Sequence, residues 1–452
     1  MMSSGLPKQI EDELVDNDIR LVRFLYVDLC GLVRGKIVPV RKFAGKSKEG
    51  VGLVQGMMAM NILDQMQTDT GLGATGEVRM VPDLETFSVV PYTEGSAQVL
   101  TDLVQLDKGD WGYCPRTILK RVIKEAESAG FTVQAAFEQE YMLGTAAAES
   151  PFEPLDSDVC FGTDAMNRAD DFYQELYECL ERQNIEVEQF YPEAAHGQHE
   201  VSIKYAPAMA ACDRYILVKE TLKGLALNHD LLFTQAPKPF DNQVGTGCHL
   251  HLSIWNKDRT ENLTFENGED GLSKVAKQFI AGVLSHLPAL TALTCPSVNS
   301  YRRLKPKCWS SAYTSWGFDN REAAIRVPSV YWGEEAESTN LEIKCVDNTI
   351  NPYLAMAGII ASGLDGIKKE LIPPLPVSGD PSELSEEKAK DYGVARLPES
   401  LHSALVEFET DIYLKKMLGE KFANSYITLK TSEVNAFSLD SDFEFCQHRL
   451  RY

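Results

Sequence analysis

The sequence predicts an α+β protein built from two units, a small β-rich N-terminal domain over residues 15–108 and a larger mixed domain over 112–452. Three observations predict it. Residues 19–106 read as short runs of alternating apolar and polar residues, the signature of half-buried strands. From Pro115 the texture changes to apolar residues at helical spacing. Beyond that point helix and strand patterns alternate irregularly, which suits α+β rather than a doubly wound sheet.

In chain order, IRLVRFLYVDLCGLVRGKIVPV (19–40) reads as a hairpin turning at Cys30-Gly31. The Gly- and Met-rich GVGLVQGMMAMNI has no clear period and is expected as loop with a short helix. VRMVPD, FSVVPY and AQVLTDLVQL add strand runs, and the turn-forming Lys108-Gly109-Asp110 ends the first domain. PRTILKRVIKEAESAG places Pro at a first helical position and stops at Gly130. FTVQAAFEQEYML follows as a strand. Further helices are expected at 168–184, 208–228, 271–286 and 352–369, with strands at 185–190, 198–204, 247–255 and 340–346. The Pro-, Ser- and Glu-rich segment 373–400 is expected as an exposed loop, and no internal repeat is evident.

With 44 Lys+Arg against 66 Asp+Glu the chain carries a net charge of −22. Nucleic acid and anionic membrane surfaces are poor partners for such a chain, because both recruit clustered basic residues. No run approaches the roughly 18 consecutive apolar residues of a membrane span. The N-terminal MMSSGLPKQIEDELVDND is polar and acidic, unlike a secretory or transit signal. Ten cysteines are scattered singly without a CxxC, the usage of reduced thiols in a cytoplasmic protein.

The chemistry-bearing residues cluster in six segments. In FEQEYML, Glu138 and Glu140 are two apart on a strand, so both carboxylates face one side, which is costly unless a cation lies between them. YPEAAHGQHEVSI holds Glu193, His196, His199 and Glu200; GTGCHLHLSIW holds His249 and His251 on one strand face behind a Gly-x-Gly turn. NLEIKCVD places Glu342 and Lys344 on one face just before a long helix. Five carboxylates with a histidine suit Mg²⁺ or Mn²⁺ better than structural zinc. Paired hard cations clamp transferring phosphoryl oxygens, which points toward ATP, although no Walker A sequence is present. The basic segments NSYRRLKP and DNREAAIRVP supply Arg302, Arg303, Arg321 and Arg326, side chains suited to gripping carboxylate or phosphate. The plainer alternatives are a solvated strand face, core histidines and surface ion pairs.

Taken in order, FEQEYML, EAAHGQHE, GTGCHLHLS, NSYRRL, NREAAIRVP and NPYLAMAGIIASGLDGI resemble the glutamine synthetase superfamily, of the bacterial type I length, across residues 20–450. The resemblance implies a β-grasp N-terminal domain and a catalytic α+β domain. It also implies a homo-oligomer, a dodecamer of two hexameric rings with each site between neighbouring subunits. By motif position, Glu140, Glu193 and Glu200 resemble ligands of one metal, and Glu138, His249 and Glu342 ligands of a second. Gly245, His249 and Arg303 match glutamate-binding positions. Arg321, Arg326 and His251 match contacts to the transferring phosphate, and Glu188 and Ser253 lie where the nucleotide is held. The implied substrates are ATP, L-glutamate and an amine: ATP phosphorylates the γ-carboxylate, and the amine displaces phosphate.

Departures from the pattern bear on the amine. Six residues after Arg303, where glutamine synthetases place a flap glutamate, stands Trp309. The segment that carries their ammonium-binding aspartate is here GLVQGMMAMN (Gly52 to Asn61), without an acid. Val244 replaces an asparagine, Lys344 a phosphate-contacting arginine, and the adenylylation tyrosine is absent from 380–400. Ammonium needs anionic partners before it can attack, whereas a Trp wall suits hydrocarbon. The expectation is therefore a γ-glutamylamide ligase for an apolar monoamine, aryl or alkyl. A polyamine or ethanolamine ligase, a true glutamine synthetase and a non-catalytic family member are the alternatives.

Overall fold

The computed structural model describes residues 5–146 and 152–452, so the first four residues of the polar N-terminal stretch lie outside it. The first sheet comprises β1 (Leu21–Val27), β2 (Val33–Pro39), β3 (Val51–Val54), β4 (Glu77–Pro82), β5 (Ser88–Val89) and β6 (Ser96–Val104). Its order is β2-β1-β6-β4-β3, with β5 against β6. The β1–β2 hairpin forms as expected, and β1 lies parallel to β6, the β-grasp arrangement. One expectation is corrected: the Gly- and Met-rich stretch opens as strand β3, because pairing with β4 satisfies its backbone, and only Gln55–Ala59 coils into a short helix.

The second sheet runs β7 (Phe131–Thr145), β8 (Glu153–Pro154), β9 (Val187–Pro192), β10 (Gln198–Ile203), β11 (Ala206–Pro207), β12 (Leu232–Thr234), β13 (Cys248–Asn256), β14 (Trp316–Phe318), β15 (Ile325–Val327) and β16 (Leu341–Ile343). Its order is β14-β15-β16-β13-β7-β10-β9, and the long β7 also pairs with β8, β11 and β12. Against it pack helices Pro115–Ser128, Thr163–Glu181, Ala208–Asn228, Lys274–Thr294 and Pro352–Lys368. The fourth of these outruns its expected end, since Pro288 is accommodated inside a helix buried almost throughout. Asn351 caps the last by accepting from Tyr353 and Leu354 N–H, with Pro352 at its first turn.

Two stretches differ from expectation. Helices Leu401–Thr410, Ile412–Leu418, Glu420–Phe437 and Ser441–Arg451 close the chain, and none was read from the sequence. The 373–400 segment is tied down rather than loose: Val377 and Leu397 are buried, Val377 N–H donates to Trp316 O (2.8 Å), and Trp316 Nε1 donates to Pro374 O (2.7 Å). Within it Glu386–Asp391 is helical. The cysteines are all free, with Cys160, Cys308 and Cys446 exposed and the other seven buried. Among the described residues no helix is long and apolar enough to cross a membrane.

Candidate active site

The register of five neighbouring strands builds the site. Glu200 on β10 lies opposite Glu140 on β7, and Glu138 lies opposite His249 on β13. His251 on β13 pairs with Glu342 on β16, which in turn faces Arg326 on β15. Directly opposed residues share a face, as do residues two apart. One sheet face therefore gathers four carboxylates, two imidazoles and a guanidinium. Their backbones are locked in the sheet, which is why residues scattered over two hundred positions hold a fixed geometry.

Within this face Glu138, His251 and Glu342 offer ligand atoms that all lie within 4.8 Å of one another. His249, the histidine expected in that role, approaches the same carboxylates through Nδ1, at 3.4 Å from Glu342 and 3.7 Å from Glu138. Its other nitrogen is 3.2 Å from Lys344 Nζ, and Lys344 lies 3.4 Å from Glu342 Oε1. Lys344 is thus a built-in cation, buried beside a glutamate that is itself only 1 % exposed. Burial alone would raise Glu138, but His251 and His249 hold its carboxyl well below the usual range. His251 is correspondingly raised to about 9, the neighbouring Glu138 and Glu342 carboxylates outweighing its burial.

Among the described residues no buried cation is paired with the second carboxylate group. Burial and the nearby Glu140 push Glu193 up to about 7; burial, Glu138 and Glu140 push Glu200 well above the carboxylate range. Tyr191 OH donates to Glu200, and Glu140 accepts from Gln198 Nε2 and from Gly247 N–H, both at 2.7 Å. Acids that would hold protons here are the electrostatic setting of a divalent-cation site. His251 Nε2, 3.3 Å from Glu138 Oε2, lacks hydrogen-bonding geometry, which leaves it open as a ligand atom, whereas the buried Arg326 Nε, without a hydrogen-bond partner among the described residues, is a donor suited to an anion. Oxygen donors with one or two imidazoles fit Mg²⁺ or Mn²⁺.

Arg303 ends the short helix Ser300–Arg303 and lies buried across the loop before β13, donating to Val346 O at 3.2 Å. The loop glycines make room for it. A Cβ at Gly245 would stand 2.6 Å from Arg303 Cγ, and one at Gly247 would stand 2.5 Å from its Nη2. Arg321 is exposed, yet close enough for its charge to act on Glu193.

Other expected residues lie apart. Glu188 is exposed beside the bulge where β9 leaves register with β10. Ser253 Oγ accepts from Trp255 Nε1 (2.8 Å), so its hydroxyl is already engaged. Trp309 points outward, 65 % exposed. Its segment is strained, with Lys307, Trp309 and Ser311 all in the left-handed region that non-glycine residues avoid. Among the bonds that hold it, Trp309 N–H donates to Glu322 Oε1 (3.0 Å), Ser310 Oγ to Lys305 O (2.9 Å) and Ser311 Oγ to Ala323 O (2.8 Å). Gln198 and Glu322 were missed in the sequence. Gln198 stood two residues before Glu200, a spacing that shares its strand face; Glu322, in a turn, gave no periodic signal.

Comparison with known proteins bears on the whole chain. Residues 112–448 match the family model of the glutamine synthetase catalytic domain and residues 8–111 that of the glutamine synthetase N-terminal domain. The chain is 35% identical to gamma-glutamylpolyamine synthetase GlnA3 of Streptomyces coelicolor, over 99% of this chain and 98% of that protein. It is 34% identical to a glutamine synthetase of Pyrococcus furiosus, over 93% of this chain and 92% of that one. Among solved structures, a novel glutamine synthase homolog superimposes with a TM-score of 0.86 at 31% identity, covering 96% of this chain and 99% of that one. A GmaS/ADP complex superimposes with a TM-score of 0.83 at 28% identity, covering 95% and 96%.

Proposed function

The chain belongs to the glutamine synthetase family, and on that premise we propose that it is an ATP-dependent ligase joining the γ-carboxylate of L-glutamate to an organic amine. The observation that carries the reading is the single sheet face on which β10, β7, β13 and β16 assemble Glu200, Glu140, Glu138, His249, His251 and Glu342. A degenerate, non-catalytic member would have no need to keep so costly a cluster of like charges.

In this reading Glu140, Glu193 and Glu200 hold one divalent cation and Glu138, His249 and Glu342 another, with His251 close enough to share the second. Bound Mg²⁺ or Mn²⁺ supplies charge neutralisation at the phosphate oxygens of ATP. Arg303, seated against Gly245 and Gly247, orients the glutamate carboxylate. Arg321, Arg326 and Lys344 face the phosphoryl group as it moves to the γ-carboxylate and stabilise the charge it carries. Glu188 and Ser253 lie toward the nucleotide. The amine then attacks the acyl phosphate and phosphate leaves. The division at 108–112 into an N-terminal and a catalytic domain, a cytoplasmic location and a ring-shaped homo-oligomer belong to the same reading.

Trp309 and the acid-free Gly52–Asn61 segment support an apolar monoamine, aryl or alkyl. The Streptomyces relative, by its name, supports a polyamine. Glutamate-dependent phosphate release from ATP, measured with ammonium, methylamine, isopropylamine, ethanolamine, putrescine, spermine and aniline, tests the proposal. An organic amine preferred over ammonium is expected. Preference for ammonium would mean a glutamine synthetase, and no release with any amine a non-catalytic protein.

A further inference from the structure

Resting on the ligase reading, we propose that the Glu322 carboxylate is the anionic partner of the incoming amine, and that the substrate is therefore an amine arriving as a cation, an alkylamine or polyamine rather than an arylamine. Aliphatic amines, like the lysine side chain, are protonated near neutral pH, with a pKa of about 10. A cation entering a partly desolvated pocket needs a fixed negative charge to meet it. Position 309 and residues 52–61 do not provide one.

Glu322 provides it from another element. It sits in the turn between β14 and β15, immediately after Arg321, and is half-buried. Its Oε1 accepts the Trp309 N–H at 3.0 Å, so the carboxylate lies directly against the flap-like segment, while Oε2 carries no partner among the described residues. Asn320 Oδ1 accepts the Glu322 N–H (3.0 Å), and Asn320 Nδ2 is anchored on Val377 O and Gly379 O, which fixes the turn. Burial raises the Glu322 carboxyl; of the charged groups acting on it, Asp380 raises it further and Lys344, which borders the carboxylate cluster, lowers it. A carboxylate bonded to the Trp309 backbone, within the field of the lysine that touches His249 and Glu342, can meet a cation bound for that centre. The negative charge here stands in the β14–β15 turn, and position 309 carries an outward tryptophan.

A purely mechanical role is the rival: Glu322 could do no more than pin the strained segment. Glu322→Gln separates the two, because the amide oxygen can still accept the Trp309 N–H while the charge is gone. Kinetics of the full-length protein with methylamine, putrescine and aniline are expected to show the E322Q amine KM rising at least about tenfold for the two cationic amines. KM for glutamate and ATP stays within about twofold, and use of aniline does not fall. An unchanged amine KM in E322Q, or an equal rise in all three substrates' KM, overturns the proposal. Calorimetric titration of putrescine into wild type and E322Q, with Mg²⁺ and ADP present, keeps this test apart from that of the ligase reading. Binding that E322Q loses supports the Glu322 role even without turnover, and absence of binding to wild type overturns it.

Discussion

At Trp309 the indole stands outside the protein while its backbone N–H is held by Glu322, so side chain and main chain serve different ends. Removing an exposed side chain changes stability by no more than about 0.5 kcal/mol. Trp309→Ala is therefore expected to leave the thermal midpoint in place and raise the amine KM more than glutamate's; a lowered midpoint would show that the ring packs. Gly247→Ala acts on the other substrate. The new methyl would stand 2.5 Å from Arg303 Nη2 and 2.9 Å from Glu140 Oε1, so both the guanidinium and the carboxylate must shift. A misplacement of this kind costs roughly tenfold to a hundredfold in use of the oriented substrate, so the glutamate KM rises while amine KM is preserved. Residues of this type were legible in the sequence when strand spacing or a glycine pattern announced them, as with Glu138, Glu140 and Gly245. Glu322 was not, because a turn residue's partner across the fold leaves no periodic trace.

Between helices, His286 bridges Lys274–Thr294 to two others: Nδ1 lies 2.6 Å from Asp411 and Nε2 3.1 Å from Asp365 in Pro352–Lys368. Burial alone would lower His286, but these carboxylates raise it, while its imidazole holds Asp411 below the usual range despite burial. The signs define a window. A raised histidine stabilises fully below its unfolded value of about 6.5 and loses that contribution as pH rises through its folded value. A lowered aspartate stabilises above about 3.9 and loses its contribution as pH falls through its folded value. His286→Gln is thus expected to cost about 1–3 kcal/mol near pH 5–6, less toward pH 9. Melting curves across that range check it, and a deficit independent of pH would contradict it. The strands and the Pro115–Ser128 and Thr163–Glu181 helices were readable because burial on one face imposes a period. The C-terminal helices were not: their amphipathic pattern is weak, and packing against the core and the N-terminal hairpin decides them. Tyr452 OH, for example, donates to Cys30 O at 2.7 Å.

Across the whole molecule one arginine joins the parts. Arg116, at the start of the first helix after the N-terminal domain, pairs with Asp83 (2.6 Å) and Asp102 (3.1 Å) from the first sheet's side and with Asp213 from the Ala208–Asn228 helix. Its side chain is buried, so Arg116→Ala takes the counter-charge from buried Asp213 and loosens Asp83 and Asp102, the latter still paired with Lys120, and is expected to cost about 3–5 kcal/mol. Chemical denaturation measures this, and a loss under 1 kcal/mol, within the usual scatter of surface substitutions, would show the network to be dispensable. This joint brings the two domains into one body, with the carboxylate face on the second sheet. Sequence spacing could place each ligand on its strand but not show that β10, β7, β13 and β16 lie side by side, since the order of strands is a property of topology. The family resemblance grouped the ligands, and the sheet order shows why they meet. The most direct measurement of the ligase account uses glutamate carrying ¹⁸O in its γ-carboxylate, ATP, Mg²⁺ and putrescine or methylamine, with mass spectrometry of the products. The account predicts a γ-glutamylamide of the organic amine and one ¹⁸O transferred to phosphate; unlabelled phosphate, or glutamine formed in preference when ammonium competes, would contradict it.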